Sequence, residues 1–443
     1  MINRVDLNSC KQNTPPLLMG EVSLSRIAIM AMKNPEMIFN SLAHRIDLAM
    51  LREAYTKIKK RGAAGVDKVT AASYAQDLDQ NLYYLYQRLY RGQYVATPVK
   101  RIWIEKENGK LRPIGIPAFE DKIVQKGVEM ILSAIYEPKF YGFSYGFRAG
   151  KSQHQAIKAL RENCIKNNTK WIVSADITGL FDNIDHAHLR EILKLRVNDG
   201  GIIRLIGKWL KAGVMEEGKY HRSISGTPQG GVISPILSNI FLHHVPDDWF
   251  VKQVHPRMKR RSFFIRFADD YAAGFALESD AKRALEAMRK RFERFGLELH
   301  PDKTKLIPFG WPQTIDGKVR KPGTFDFLGF TFYRGRSLQG QWVIKKKTAR
   351  KRLARFKKMI WNWCKKNRHQ PILEQYATLC SKLRGYYQYF GVVSNMKSLR
   401  SIWYRTIMAW RYWLCRRNHK GMVRYEDLMA SYPLPTPMIV HNV

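Results

Sequence analysis

Two apolar runs in this chain each end in a bare carboxylate, and together they constrain the fold more than any other feature. The first is Trp171-Ile172-Val173-Ser174-Ala175-Asp176. The second runs from Phe263 through Phe267-Ala268-Asp269-Asp270 to Phe275. Short apolar runs rich in β-branched and aromatic residues predict strands, and an Asp pair between two of them predicts a tight hairpin. One Asp at a hairpin tip is ordinary. If the strand ending in Asp176 lies beside that hairpin, Asp176 and Asp269 meet at one sheet edge. Anions held that close are costly unless a cation neutralises them, and hard oxygen donors favour Mg²⁺ or Mn²⁺. Such a layout suits two-metal phosphoryl transfer.

Charge points the same way. Lys and Arg number 76 against 37 acidic residues, a formal net charge of +39 over 443 residues. So large an excess repels itself unless a polyanion accompanies the fold, and nucleic acid is the leading candidate. No apolar stretch reaches the ~18 residues of a membrane span, and the N-terminus lacks a secretory pattern. Cys10, Cys164, Cys364, Cys380 and Cys415 form no Cys-x-x-Cys pair, which argues for reduced thiols in the cytoplasm and against a zinc module.

Along the chain, residues 1–24 read as a loosely ordered N-terminus. Helical spacing recurs from Ser25 to Lys60 and from Tyr74 to Tyr90. A hairpin is expected around Glu107-Asn108-Gly109-Lys110, with helices at 119–137 and 151–166. Ser223 to Gly231 is a glycine-punctuated loop leading to a helix with Pro235 in its first turn. A helix over 279–295, a strand over Asp326–Phe332 and basic helices from about Lys345 complete the reading. Helices and strands in this order fit an α+β core with an antiparallel sheet.

Seven blocks in order then carry a resemblance. They are Leu111-Arg112-Pro113-Ile114-Gly115-Ile116-Pro117, Tyr145-Gly146-Phe147-Arg148-Ala149-Gly150, Asp176-Ile177-Thr178-Gly179-Leu180-Phe181-Asp182, Gly226-Thr227-Pro228-Gln229-Gly230-Gly231, Phe267-Ala268-Asp269-Asp270, Lys303-Thr304 and Leu328-Gly329-Phe330. In that order the chain resembles reverse transcriptases of the bacterial group II intron type. The resemblance implies a right-hand polymerase. An N-terminal extension and fingers would occupy 25–170, a palm 171–340, a thumb and maturase region 341–420, and a tail 421–443. The implied activity is RNA-directed DNA synthesis with maturase assistance to splicing. Implied partners are intron RNA, an RNA template with a DNA primer, deoxynucleoside triphosphates and target DNA, in a bacterial cytoplasmic ribonucleoprotein without a membrane. A polymerase domesticated for phage defence or spacer acquisition, and a splicing-only RNA binder, are the alternatives.

The resemblance also implies roles. Asp176 and Asp269 would bind two Mg²⁺ ions, with the Ile177 carbonyl and Asp270 assisting. Lys303 matches a lysine that protonates departing pyrophosphate, although a structural or phosphate-binding lysine fits equally. Phe181 stands where an aromatic ring excludes a ribose 2′-hydroxyl, the competing reading being a plain core residue. Gln229 would contact nucleotide or template. Lys106, Lys110 and Arg112 would grip the triphosphate, Arg being suited to bidentate phosphate contact. Twelve Lys/Arg and no acid between Lys345 and Arg368 give a face for phosphates, here Lys345, Lys346, Lys347, Arg350, Lys351 and Arg355. Phe267 replaces the family's usual Tyr, and Thr178 stands where a basic residue is common. No Cys/His cluster follows Pro435, so an endonuclease domain is not expected.

Overall fold

The computed structural model describes residues 19–105, 109, 111–216, 219–221, 226, 230–315, 318–320, 322–417 and 422–443. The chain gathers into two compact units interleaved in sequence rather than consecutive. One takes the chain up to Gly142, Thr178–Asp248 and Arg291–Glu298; the other takes Phe143–Ile177, Trp249–Lys290 and Leu299–Val443.

The first unit is organised by the helix Phe119–Tyr136. Ile123, Val124, Val128, Ile131, Leu132 and Ile135 are all fully buried along it, so it is a core helix rather than an amphipathic surface one. Helix Leu48–Lys57 packs against it through Met50, Leu51 and Ala54, and starts where the Asp47 carboxylate accepts the Met50 amide at 2.7 Å. The expected helix through Tyr74–Tyr90 is two pieces, Ala71–Ala75 and Leu78–Tyr90. The expected hairpin forms from Val99–Glu105 and Leu111–Ile116, paired from Lys100↔Ile116 to Glu105↔Leu111. Strands Val214–Glu216 and Lys219–His221 extend it to four strands. Arg101 is tied there to Glu216 at 3.3 Å.

The second unit holds a four-stranded antiparallel sheet in the order Ser262–Phe267, Asp270–Phe275, Trp171–Asp176, Lys305–Pro308. Helix Gln153–Lys166 backs it, begun by a reciprocal cap between Ser152 and Gln155 and anchored by Ala156, Ile157, Leu160 and Cys164. The same core takes in Phe325, Phe327, Phe330, Phe332 and Ile344 from a three-stranded sheet. Two sequence expectations need correction in that sheet. Asp326–Phe332 is not one strand but a hairpin, Phe325–Phe327 and Phe330–Arg336, turned at Leu328 and Gly329 with φ of 49° and 80°. Both central residues at positive φ match the hand of a two-residue hairpin turn. Lys345, Lys346 and Lys347 are not helical; they lie in strand Trp342–Thr348, paired to Phe330–Arg336.

Helices begin only at Arg350. Arg350–Asn367, Ile372–Phe390 and Met396–Leu414 close around Cys364, Leu379, Leu383, Tyr387, Leu399, Ile402, Ile407 and Trp410. Among the described residues no helix is long and apolar enough to cross a membrane.

Candidate active site

Sheet register creates the site. The antiparallel pairing of Trp171–Asp176 with Asp270–Phe275 sets Asp176 directly opposite Asp270, and Ala175 opposite Tyr271. Opposed residues on one face have Cβ atoms about 5 Å apart. The two carboxyls are accordingly close enough for the charge of Asp176 to act on Asp270. On the other side Phe267 pairs with Asp270, which leaves Ala268 and Asp269 as the two turn residues. The structure therefore brings Asp270, given only an assisting part by the resemblance, closest to Asp176 in register. Asp269 sits at the tip and acts on Asp270 through its charge.

The chain beyond Asp176 is also pinned. Ile177 bridges Leu299, and the His300 amide donates to the Asp176 carbonyl at 2.9 Å. A turn then closes from Thr304 N to the His300 carbonyl, also 2.9 Å, and delivers Lys303. Its ammonium donates to Asp176 Oδ2 at 2.5 Å.

Charge is unbalanced here. Burial foremost, then the negative charges of Asp269 and Asp176, pushes the Asp270 carboxyl up to about 7, with Lys303 offsetting only part. Among the described residues no three His, Cys, Asp or Glu side chains are drawn into a coordinating cluster. Asp176 is engaged by the Lys303 ammonium. The donors themselves are hard oxygens with surplus negative charge, and they fit a divalent cation.

Backbone strain marks the hairpin. Ala268 is buried with φ of 54°, a conformation that costs a residue with a Cβ. What holds it is the segment Phe143–Gly146. The Arg266 amide donates to the Phe143 carbonyl at 3.0 Å, and the Tyr145 amide donates to the Arg266 carbonyl at 2.9 Å. Arg266 is fully buried, and its Nη1 donates to the Ala268 carbonyl at 3.2 Å. Gly146 lies so close that a Cβ there would stand 2.2 Å from the Ala268 nitrogen. The Tyr-Gly-Phe-Arg block is thus a clamp on the Asp-Asp turn. Its sequence signal was the glycine, and the neighbour it makes room for was not readable from sequence.

Three other blocks meet in the first unit. Gly230, at φ 113°, leaves no room for a Cβ, which would stand 2.6 Å from the Gly115 carbonyl oxygen on strand Leu111–Ile116. The Val232 amide donates to Gln125 Oε1 at 3.0 Å. The Gly226 amide donates to the Ile184 carbonyl at 2.9 Å, beside the short helix Leu180–Asn183 that carries half-buried Phe181. Arg112 is exposed on its strand. Lys106, Lys110 and Gln229 lie outside the described residues.

The basic region divides by strand alternation. Lys347 is exposed and Lys345 half-buried, whereas Lys346 is buried at 2% exposure with its ammonium donating to the Val443 carbonyl. Burial pulls the Lys346 amine down to about 8. That corrects the placing of Lys346 on a phosphate-facing surface: the inward face of the strand takes it. Arg350 and Lys351 are exposed at the start of helix Arg350–Asn367, and Arg355 is half-buried.

Comparison with known proteins agrees with the geometry. The family of reverse transcriptases (RNA-dependent DNA polymerases) matches residues 104–332. The group II intron-encoded protein LtrA of Lactococcus lactis subsp. cremoris is 30% identical over 79% of this chain and 70% of its own length. Protein YkfC of Escherichia coli (strain K12) is 31% identical over 67% of this chain and 84% of its own. With the family match spanning the carboxylate strand, the glycine block and the Asp-Asp hairpin, the chain belongs to the group II intron-encoded reverse transcriptases and maturases, as an RNA-directed DNA polymerase.

Proposed function

We propose that Asp176 and Asp269, assisted by Asp270 and the Ile177 carbonyl, hold two Mg²⁺ ions for nucleotidyl transfer to a primer 3′-hydroxyl. The observation that carries this is the register that opposes Asp176 to Asp270, where burial first and the neighbouring negative charges of Asp269 and Asp176 second raise the Asp270 carboxyl to about 7. Bound there, the ions supply activation of the hydroxyl and neutralisation of the leaving pyrophosphate. Lys303 positions the Asp176 carboxylate and donates a proton to that pyrophosphate. The Phe181 ring excludes a 2′-hydroxyl, and Gln229 contacts the nucleotide or template. Arg112, with Lys106 and Lys110, holds the triphosphate. The RNA bound in splicing and mobility is the intron's own, and the product strand is laid into target DNA.

Linkage supplies the test. Because the folded-state pKa of Asp270 is raised, the folded protein binds the extra proton between about pH 4 and 7. Stability from this group is present below its ordinary carboxylate range and lost as pH rises through about 7. A divalent cation favours the ionised form and restores it. Thermal melting should therefore show Mg²⁺ stabilising the protein by about 2 °C or more at pH 8 and much less at pH 5.5. Asp270→Asn should raise the melting temperature at pH 8 without Mg²⁺ and shrink the Mg²⁺ effect. Equal Mg²⁺ stabilisation at both pH values would argue against the site.

The thumb yields a second expectation. Removing one cation that pairs with an RNA phosphate should lower the salt slope of RNA affinity by about 1. Lys351→Ala, at an exposed position, should do so in filter binding across a salt series. Lys346→Met should leave the slope unchanged, since that ammonium is spent on Val443. The opposite ranking would mean that strand Trp342–Thr348 turns its other face to RNA.

A further inference from the structure

The thumb carries a cavity that the polymerase site does not use. It has a volume of about 340 Å³ and opens between helices Arg350–Asn367 and Met396–Leu414. That is within the ~300–1,000 Å³ range of ligand clefts. Its aromatic wall is Trp361 and Tyr412, both substantially exposed, with ring centroids 4.8 Å apart. Met408 also lines it. Arginines flank it: the Arg416 guanidinium is stacked over one face of the Tyr412 ring, 3.6 Å from its centroid, and Arg405 is exposed on the adjoining turn. Those two helices carry eight and four Lys/Arg and not one Asp or Glu.

This combination needs explaining. Exposed Trp and Tyr side by side are costly in water, and the bundle core already buries Trp410, Tyr386 and Tyr387 without them. A concave aromatic wall between two helices that carry only cationic charge matches a ligand with a flat π-face attached to an anionic backbone. Trp361 and Tyr412 already touch and Arg416 covers one face of Tyr412, so a ring cannot slip between them and must lie against the part of the pair left open. A base still paired and stacked in a duplex has no free face to offer.

We propose that this cavity captures a single unstacked nucleobase, a bulged or looped-out residue of RNA, with Arg416 and Arg405 taking its flanking phosphates. Stacking of this kind contributes strongly per base and tolerates any base identity. The proposal rests on the reading of the chain as an intron-type reverse transcriptase that binds structured RNA, and adds a shape-selective contact remote in sequence from the carboxylates.

The test uses the full chain and two RNA hairpins, identical except that one carries a bulged 2-aminopurine and the other is fully paired with the fluorophore inside the stem. The wild type should bind the bulged hairpin about tenfold or more tightly and quench its fluorescence. Trp361→Ala and Tyr412→Ala should erase the preference while binding the paired hairpin as before, and Tyr412→Phe, which keeps the ring, should retain it. Unchanged melting temperature and unchanged primer extension would show that the variants are folded. A wild type with no bulge preference, or alanine variants that keep it, would overturn the proposal and leave RNA binding by the thumb intact. Failure to bind either hairpin would overturn both readings. A matched DNA hairpin bound equally well would show that the cavity reads an exposed base without regard to the sugar, contradicting an RNA-specific role.

Discussion

Replacing Asp269 by Ala should reduce primer extension on an RNA template by about 10³-fold or more, while RNA affinity and splicing assistance persist. The magnitude follows from the several kcal/mol of transition-state charge stabilisation that a bound metal supplies, at 1.36 kcal/mol per tenfold in rate. Asp269 is a turn residue of the hairpin, so trimming its carboxylate leaves the core packing as it was. Asp176→Asn should be equally severe. Asp270→Asn should be milder, about 10- to 100-fold, because Asp270 is assigned a supporting position despite facing Asp176 in register. Steady-state extension with a defined primer, alongside splicing on the same preparation, gives the ranking. Extension retained in Asp269→Ala would remove the metal assignment. Splicing abolished together with extension would instead point to a general collapse of the fold.

Gly146→Ala is the second large effect, and it reaches the carboxylates through the backbone. The added Cβ would stand 2.2 Å from the Ala268 nitrogen and 2.9 Å from its Cα. Both are backbone atoms, with no flexible side-chain end to move aside. Ala268 is already held at φ 54° by neighbouring hydrogen bonds, so the displaced turn has no relaxed alternative nearby. Misplacing catalytic groups by about 1 Å costs on the order of 10²-fold in rate. Extension should fall by at least that factor, with a loss of stability of about 1–3 kcal/mol from overpacking. Gly142→Ala, where nothing lies within 4 Å of the added atom and φ is ordinary, is the control and should behave as wild type. A Gly146→Ala enzyme of normal rate would show that the Phe143–Gly146 clamp does not position the hairpin.

Much of this site was legible from residue order because strands advertise themselves through apolar runs. Trp171–Asp176 and the strands flanking Ala268-Asp269 fell where the sequence put them. The turn geometry did not, since a positive φ at Ala268 is a tertiary outcome where glycine would be the usual signal. Lys345–Lys347 read as the start of a basic helix because charge gives no period when every residue is alike. Pairing with Phe330–Arg336 decided the matter, and strand alternation then buried Lys346. Leu328-Gly329 was missed for the opposite reason: the flanking aromatics run on so smoothly that the turn inside them is hidden. The partners of Gly146 and Gly230 lie far away in sequence, so residue order did not reveal what backbone each glycine approaches.

Counting bound Mn²⁺ tests the whole account most directly. Electron paramagnetic resonance of the protein with primer, RNA template and a non-extendable nucleotide should report two ions per chain for the wild type. Asp176→Asn and Asp269→Ala should each bind fewer than one under the same conditions, with primer–template still bound. Two ions retained in either variant would contradict the claim that this sheet end, and no other part of the chain, holds the metals of polymerisation.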